Sequence, residues 1–512
     1  MSFEPIINEV LSKHRRKLGA QQCYAEIKGE TLAGEEIVSV LSVSSTPSVV
    51  AVNATPSGAD AIISIRSAML AVTTANEIVC ISAQAECVCK LTVSGLDAEC
   101  KVFVFPNIVE TNNIKVSGGQ VSCTILLENN FWTVSNESIK FVSSVSDNAF
   151  TKLATIKYSD VVSATTECFE HIAEVDIPTS VSRVLCAESV VQVLGLECGN
   201  DMLTLNGQVI SNVIYLTSDE IPRLKSQTYT NDFRQEILAG GCSQAADAVP
   251  EIYVSSTEFE IQGELNSGKG LLSVKTKICT QVIASEVKEV ECVADAYCTD
   301  NHLSLTAESY NVYSVVCAHK LSDKVDGNIV LDENAARIEK VFCNAASFAV
   351  ITSVEAGQDV VLAEGVVYAN ILYLSDTEAG VVSSIQTEIP FASKLTLEGI
   401  TADSEIDLFA HVVEVDSRIK KGREIDVQAE VLFSVRACKS APNAVVSNIT
   451  LGEAKAANEA PLGVYMLSNC PELWDAAKQL SVCPESLLAQ NPGLNFPINE
   501  PQNIVVYRQK KI

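Results

Sequence analysis

The 512-residue sequence is short of basic charge, aromatics and histidine. Its 36 lysines and arginines face 64 acidic residues, for a formal charge of -28. A surface of that sign repels phosphate backbones and anionic lipid heads, which argues against nucleic-acid binding and favours a cationic partner or simple solubility. No stretch approaches the roughly 18 consecutive apolar residues that a membrane-spanning helix needs. The opening Met1-Ser-Phe-Glu-Pro-Ile-Ile7 has no basic segment ahead of an apolar one, so no secretory leader is expected and the chain is expected to stay in the cytoplasm where it is made. Glycine-rich phosphate fingerprints, G-x-S-x-G elbows and H-E-x-x-H pairs are missing, and no enzyme class is indicated. The five histidines (His14, His171, His302, His319, His411) lie far apart in sequence, and no C-x-x-C pair occurs among the 18 cysteines. Neither a metal site nor a cofactor is expected. In a reducing compartment the thiols should be mostly free; Cys123, Cys279, Cys317 and Cys343 sit in apolar runs, where cysteine behaves as a small hydrophobe.

What is present is a repeat. Gly357-Gln-Asp-Val-Val-Leu-Ala-Glu-Gly-Val-Val-Tyr-Ala-Asn-Ile-Leu-Tyr-Leu374 parallels Gly199 to Leu216, and a more diverged copy runs from Gly58 to Val72. Strand-like runs close around Gly119, Gly270 and Gly422, which are 151 and 152 positions apart. After each glycine, apolar residues alternate with polar ones: Val121, Cys123, Ile125 and Leu127; then Leu272, Val274 and Ile278; then Ile425, Val427, Ala429, Val431 and Phe433. A period of two predicts antiparallel strands with one face on a core and one in water. Glu405, Asp407, Glu414 and Asp416 are accordingly placed on the wet face. The fold class is mainly β: three related antiparallel sandwich-like repeats at 31–130, 176–284 and 336–440. Spacers rich in β at 131–175 and 285–335 join them, preceded by a partly helical N-terminal segment at 1–30. The basic run Lys13-His-Arg-Arg-Lys17 belongs to that segment as one face of a short amphipathic helix, packed on the first repeat or touching a membrane surface. Gly263-Glu-Leu-Asn-Ser-Gly-Lys-Gly270 imitates a P-loop but lacks the serine or threonine after the lysine, so it is read as a hairpin turn.

A small, polar linker at 441–461 precedes a module at 462–512 that reads strand, helix, helix, strand. Leu473, Trp474, Ala477 and Leu480 form one apolar helical stripe, and Pro484 suits the first position of a second helix that Asn491-Pro492-Gly493 ends. With Tyr465, Leu473-Trp474, Leu487-Leu488 and Asn491-Pro492 in place, the module resembles a LysM domain. The usual Gly-Asp-Thr before the Leu-Trp pair is replaced by Cys470-Pro471-Glu472. The resemblance implies a groove between the loop of Asn469, Cys470, Pro471 and Glu472 and the loop of Asn491, Pro492, Gly493, Leu494 and Asn495, for a partner or an N-acetylated glycan.

Through Ile371-Leu-Tyr-Leu374, Glu388-Ile-Pro-Phe391, Glu405 to Val415 and the terminal module, the chain resembles the SipL-type spore coat morphogenetic proteins of clostridia. That resemblance implies a non-catalytic scaffold in the mother-cell cytoplasm at the forespore surface. Its partners would be coat morphogenetic proteins, the coat-basement ATPase SpoIVA in particular. Recognition of cortex or wall glycan, and self-assembly through strand edges, stand as alternatives.

Overall fold

The computed structural model describes residues 3–32, 34–96, 100–146, 149–176, 181–218, 223–262, 271–376, 382–455 and 462–508. Valine, isoleucine and threonine, alternating with polar residues, fold into long antiparallel strands. The first six are β1 (Pro5–Glu30), β2 (Ile37–Thr55), β3 (Gly58–Thr73), β4 (Ile78–Thr92), β5 (Val102–Ser117) and β6 (Gln120–Val145). They form two three-stranded sheets, ordered β1-β6-β5 and β2-β3-β4. The same pattern recurs in β7 (Ala149–Asp176), β8 (Val181–Gly199), β9 (Met202–Thr217), β10 (Leu224–Leu238), β11 (Asp247–Gln262) and β12 (Leu271–Cys298). It recurs again in β13 (Asn301–Val330), β14 (Ile338–Gly357), β15 (Val360–Ser375), β16 (Val382–Thr396), β17 (Glu405–Lys421) and β18 (Glu424–Ala454). The sheet orders are β11-β12-β7 and β10-β9-β8, then β13-β18-β17 and β14-β15-β16.

The copies agree closely, although β14 has one more residue and one more bulge than β2 and β8. β3, β9 and β15 each have 16 residues, and bulges fall at matching places in β2, β8 and β14: after Ile37, Val181 and Ile338, and after Val40, Val184 and Val341. A bulge bends its strand and sharpens the twist, so three copies of one bend pattern give three units of one shape. Each pair of sheets packs face to face. The alternating residues Val121, Ile125 and Leu127, then Leu272, Val274 and Ile278, then Ile425, Val427, Ala429, Val431 and Phe433 are all buried, as their period requires.

The joining regions depart from the sequence reading. Residues 5–30 are strand throughout, not part helix, because β1 pairs with β6 from Pro5↔Val145 to Glu30↔Gln120. The stretches read as spacers belong to β6, β7, β12 and β13, and 441–454 is the end of β18 rather than linker. In every unit the first and last strands outrun the sandwich as a two-stranded ribbon. The three ribbons pack together through Ile139 and Phe141, Ile156 and Cys292, and Tyr310 and Val445. A helical period in Phe3, Ile6, Ile7, Val10 and Leu11 yields to this pairing, which gives β1 a backbone ladder along one edge. The P-loop-like stretch 263–270 and the linker residues 456–461 lie outside the described residues.

The three units also meet at one centre, where the matching residues Leu70, Ile214 and Leu372 share a cluster with Leu41, Leu185 and Cys343. One guanidinium also joins all three units. Arg15 of β1, its side chain 7% exposed, pairs with Glu251 of β11 and, at 2.7 Å, with Asp407 of β17. The guanidinium lies 4.5 Å from the ring centre of Trp132. Arg15 of the basic run therefore faces the interior while Arg16 and Lys17 stay exposed, and Asp407 leaves the wet face assigned to it because its sheet turns that edge toward β1. Backbone ties reinforce the joint: Ser12 donates to the Ser159 carbonyl at 3.1 Å, and Tyr310 donates to the Lys157 carbonyl at 3.0 Å.

Glu188 of β8 borders a central cavity of about 370 Å³. Burial pushes its carboxyl up to about 7 from an ordinary 4.5, against a hydrogen bond with Ser44 that lowers it. A raised folded value means that the folded state holds the proton more tightly. The resulting stabilisation is complete below the unfolded value and fades as pH rises through about 7. Glu188→Gln is expected to remove this loss, worth at most about 3 kcal/mol at pH 8. In chemical denaturation the variant should gain stability at pH 8 and match the parent at pH 4.5; equal stability at pH 8 would place the carboxyl in water.

Cysteine follows the expected pattern with one correction. Cys279 is not a free core thiol but is joined to Cys168, which lies directly opposite on β7. The other sixteen cysteines are free, eight of the described set being fully buried and Cys470 adding a ninth.

Candidate partner-binding module

The tail is built from β19 (Leu462–Leu467), α1 (Leu473–Leu480), α2 (Pro484–Gln490) and β20 (Gln502–Tyr507), with β19 and β20 antiparallel. In α1, Ala476, Ala477 and Leu480 point into a core shared with Leu467, Leu487, Ile498, Ile504 and Val506. α1 ends where Ser481 turns left-handed, at φ 53°. Pro484 begins α2, where a missing N–H costs nothing.

The first loop singled out in the sequence meets the chain just beyond the second. Cys470 and Ile498 exchange backbone hydrogen bonds of 3.1 and 2.8 Å. Within the loops the residues divide by role. Cys470 is buried, and Asn491 is a strut whose amide donates to the Leu487 and Val505 carbonyls at 2.9 and 2.8 Å and accepts from the Val505 N–H at 2.8 Å. Leu494 packs against the module core, and Asn495 donates to the Gly493 carbonyl at 3.2 Å. Asn469, Pro471, Glu472, Pro492 and Gly493 are exposed.

Glu472 does not point into open solvent alone. Its carboxylate meets Lys152 of β7 at 2.5 Å, and α1 touches the ribbon made by β7 and β12 through Trp474 and Lys478. The Trp474 indole N–H donates to Asp295 at 2.8 Å, Lys478 holds both oxygens of Asp295 at 2.6 and 2.7 Å, and Tyr297 donates to the Val482 carbonyl at 2.7 Å. The Tyr297 ring lies edge-on to Trp474, with centroids 5.0 Å apart, and is stacked on Phe150 at 5.2 Å. Lys152, Phe150, Asp295 and Tyr297 were not legible as partners of the tail. The one available signal was that Asp147-Asn-Ala-Phe150 and Asp295-Ala-Tyr297 echo one another between repeats.

Burial alone would raise the Asp295 carboxyl, but Lys478 and Trp474 outweigh it and hold the group below the usual carboxylate range. A lowered value stabilises docking above the ordinary carboxylate pKa, and that contribution fades as pH falls through the lowered one. Asp295→Ala leaves Trp474 and Lys478 without their shared acceptor. A loss of about 1.4 kcal/mol would raise the undocked population about tenfold. Trypsin cleavage after Lys455 should then quicken by about that factor at pH 7; an unchanged rate would show that the pair does not hold the module down.

With the α1 face covered, the opposite face is open. Along the β19–β20 pair, Leu462 lies opposite Tyr507 and Val464 opposite Val505, and Met466 extends the same side. Val464 and Met466 are 64% and 70% exposed. Five apolar side chains on one small sheet face form a patch that single surface hydrophobes do not.

The architecture defines a class: a modular antiparallel β protein of three equivalent two-sheet units carrying a small βααβ tail. Residues 337–420, which run through β14, β15, β16 and most of β17, match the SipL, SPOCS domain family. That match places a SipL, SPOCS domain in the third unit and supports the resemblance to SipL-type, sporulation-related proteins. Comparisons with curated proteins and with solved structures gave no match. No helix among the described residues is long and apolar enough to cross a membrane.

Proposed function

We propose that the protein is a non-catalytic scaffold of the endospore envelope. In this reading three rigid units form an assembly body, and the LysM-like tail recruits a coat component, with SpoIVA as the expected partner, at the forespore surface in the mother cell. The observation that carries the reading is the apolar outer face of the β19–β20 pair. It is left open while the opposite α1 face is occupied by the chain's own ribbon, so the module is held in one orientation with one face outward. The loops expected to line a glycan groove lend less to a sugar site: Cys470 is buried and Asn491 is committed to backbone carbonyls and an N–H. Full-length protein and a chain ending at Lys455 should be compared for capture of purified SpoIVA and for retention on muropeptides. The scaffold reading expects capture by the full chain alone and no retention. Retention on muropeptides without SpoIVA capture would replace it with glycan recognition.

A further inference from the structure

The three units share one framework, so a position where one of them differs in chemistry stands out. Counting from the β1–β6, β7–β12 and β13–β18 hairpin-proximal ends, Cys23 of the first unit occupies the place of Phe169 in the second and Asp323 in the third. On the facing sheet, Cys87 lies opposite Ile63 as Phe233 lies opposite Gly207 and Phe391 opposite Gly365. In the second unit the two positions are filled by aromatic rings whose centroids are 5.6 Å apart, a packed contact between sheets. In the first unit the same inter-sheet contact is made by two thiols, with Cys23 Sγ and Cys87 Sγ 3.4 Å apart.

The surroundings single out Cys23 as the more reactive of the two. Asn129 donates its amide to Cys23 Sγ at 3.3 Å. Hydrogen bonds from the Cys87 and Cys89 thiols, in that order of weight, and from Asn129 lower the Cys23 pKa against the opposing effect of burial, while Cys87 is raised by its hydrogen bond to Cys23 and by burial. A thiolate with a protonated thiol in contact is the arrangement that thiol oxidation requires. Cys23 and Cys87 are half-buried, whereas Cys89, on the same face of β4, is buried, with its sulfur also 3.5 Å from the Gln21 carbonyl.

We propose that Cys23 and Cys87 form an oxidisable dithiol that closes to an inter-sheet disulfide, a covalent staple within the first unit for which the second and third units have no counterpart at these positions. With a hydroperoxide as oxidant, the Cys23 thiolate attacks one peroxide oxygen. The O–O bond breaks, the sulfur becomes a sulfenic acid, and hydroxide leaves and takes up a proton as water. The Cys87 thiol then loses its proton and attacks the Cys23 sulfur. An S–S bond forms, the S–O bond breaks, and the departing hydroxide takes a proton as a second water. Two thiols give up two electrons, and one hydrogen peroxide becomes two waters. The staple would close a loop from β1 to β4 and so limit unfolding of the first unit in particular.

The test uses the full-length protein, reduced and then exposed to hydrogen peroxide, with free thiols alkylated and the digest read by fragmentation mass spectrometry. A Cys23–Cys87 linked peptide should appear, the two alkylated peptides should fall together, and dithiothreitol should restore both. Cys87→Ala should instead leave Cys23 as a trapped sulfenic acid, detectable by a dimedone adduct. If Cys87→Ala does not fold, the parent's linkage map decides alone. Free Cys23 and Cys87 after peroxide, or linkage of Cys23 to a different cysteine, would overturn the proposal.

Discussion

Replacing Arg15 by methionine is expected to destabilise the chain by about 3 kcal/mol, near the low end of what breaking a buried ion pair costs. The guanidinium is the shared counter-ion of Glu251 and Asp407, one from each of the other two units. Methionine keeps much of the stem that covers Trp132 but leaves two carboxylates together in a poorly solvated joint. Arg436, itself buried nearby, takes over part of the compensation, which keeps the loss from the upper end. Burial already pushes Glu251 upward despite Arg15, so without the guanidinium it should rise further and fold protonated at low pH. The loss should therefore be larger at pH 8 than at pH 5. The double variant Arg15→Met, Glu251→Gln should recover most of the stability, since Asp407 and the buried Arg436 then remain to balance one another. Chemical denaturation at the two pH values measures both. A change within about 0.5 kcal/mol for Arg15→Met alone would show an ordinary surface pair.

Placing aspartates at Val464 and Met466 together is expected to weaken partner binding by two or more orders of magnitude without unfolding the module. Truncation of a central apolar contact commonly costs about 2–4 kcal/mol of binding, and each 1.4 kcal/mol is a factor of ten. Both side chains point outward from β19, so the module core of Leu467, Ala477, Leu487 and Ile504 is untouched. A negative patch on a chain already at -28 should not impair solubility. Titration of labelled protein with purified SpoIVA reads the affinity, and the near-ultraviolet signal of Trp474 against Tyr297 reports whether the docked module persists. Unchanged affinity with an intact signal would move the binding face elsewhere.

The parts of the fold legible in the sequence are those in which local pattern and tertiary burial agree. The alternation around Val121, Leu272 and Ile425 describes strands that are buried on one side, and the stripe of Leu473, Ala477 and Leu480 describes a helix resting on one core. The pattern misled where a strand is partly buried against another unit. Of the apolar residues from Phe3 to Leu11, only Phe3 and Val10 pack against the other ribbons, while Ile6, Ile7 and Leu11 stay exposed beside the β1–β6 pairing, so burial follows neither a helical period nor a period of two. The same reason hid the roles of Arg15 and Asp407. A charge paired across units that are hundreds of residues apart looks, in sequence, like a charge in water. The loops of the tail were visible as turn chemistry, but the docking partners Asp295 and Tyr297 lie 179 and 177 positions before Trp474 and carry no local mark of it. The thiol pair needed the alignment of three registers before Cys23 and Cys87 could be seen to replace two aromatic rings.

The most direct measurement is the position of the fluorescently tagged full chain, beside the Val464→Asp, Met466→Asp variant, in sporulating cells of its host. A scaffold recruited by its tail should give a ring of signal at the forespore surface for the parent and diffuse mother-cell signal for the variant at equal abundance. A ring for both proteins would contradict recruitment through the open sheet face, and diffuse signal for both would contradict a place in the spore envelope.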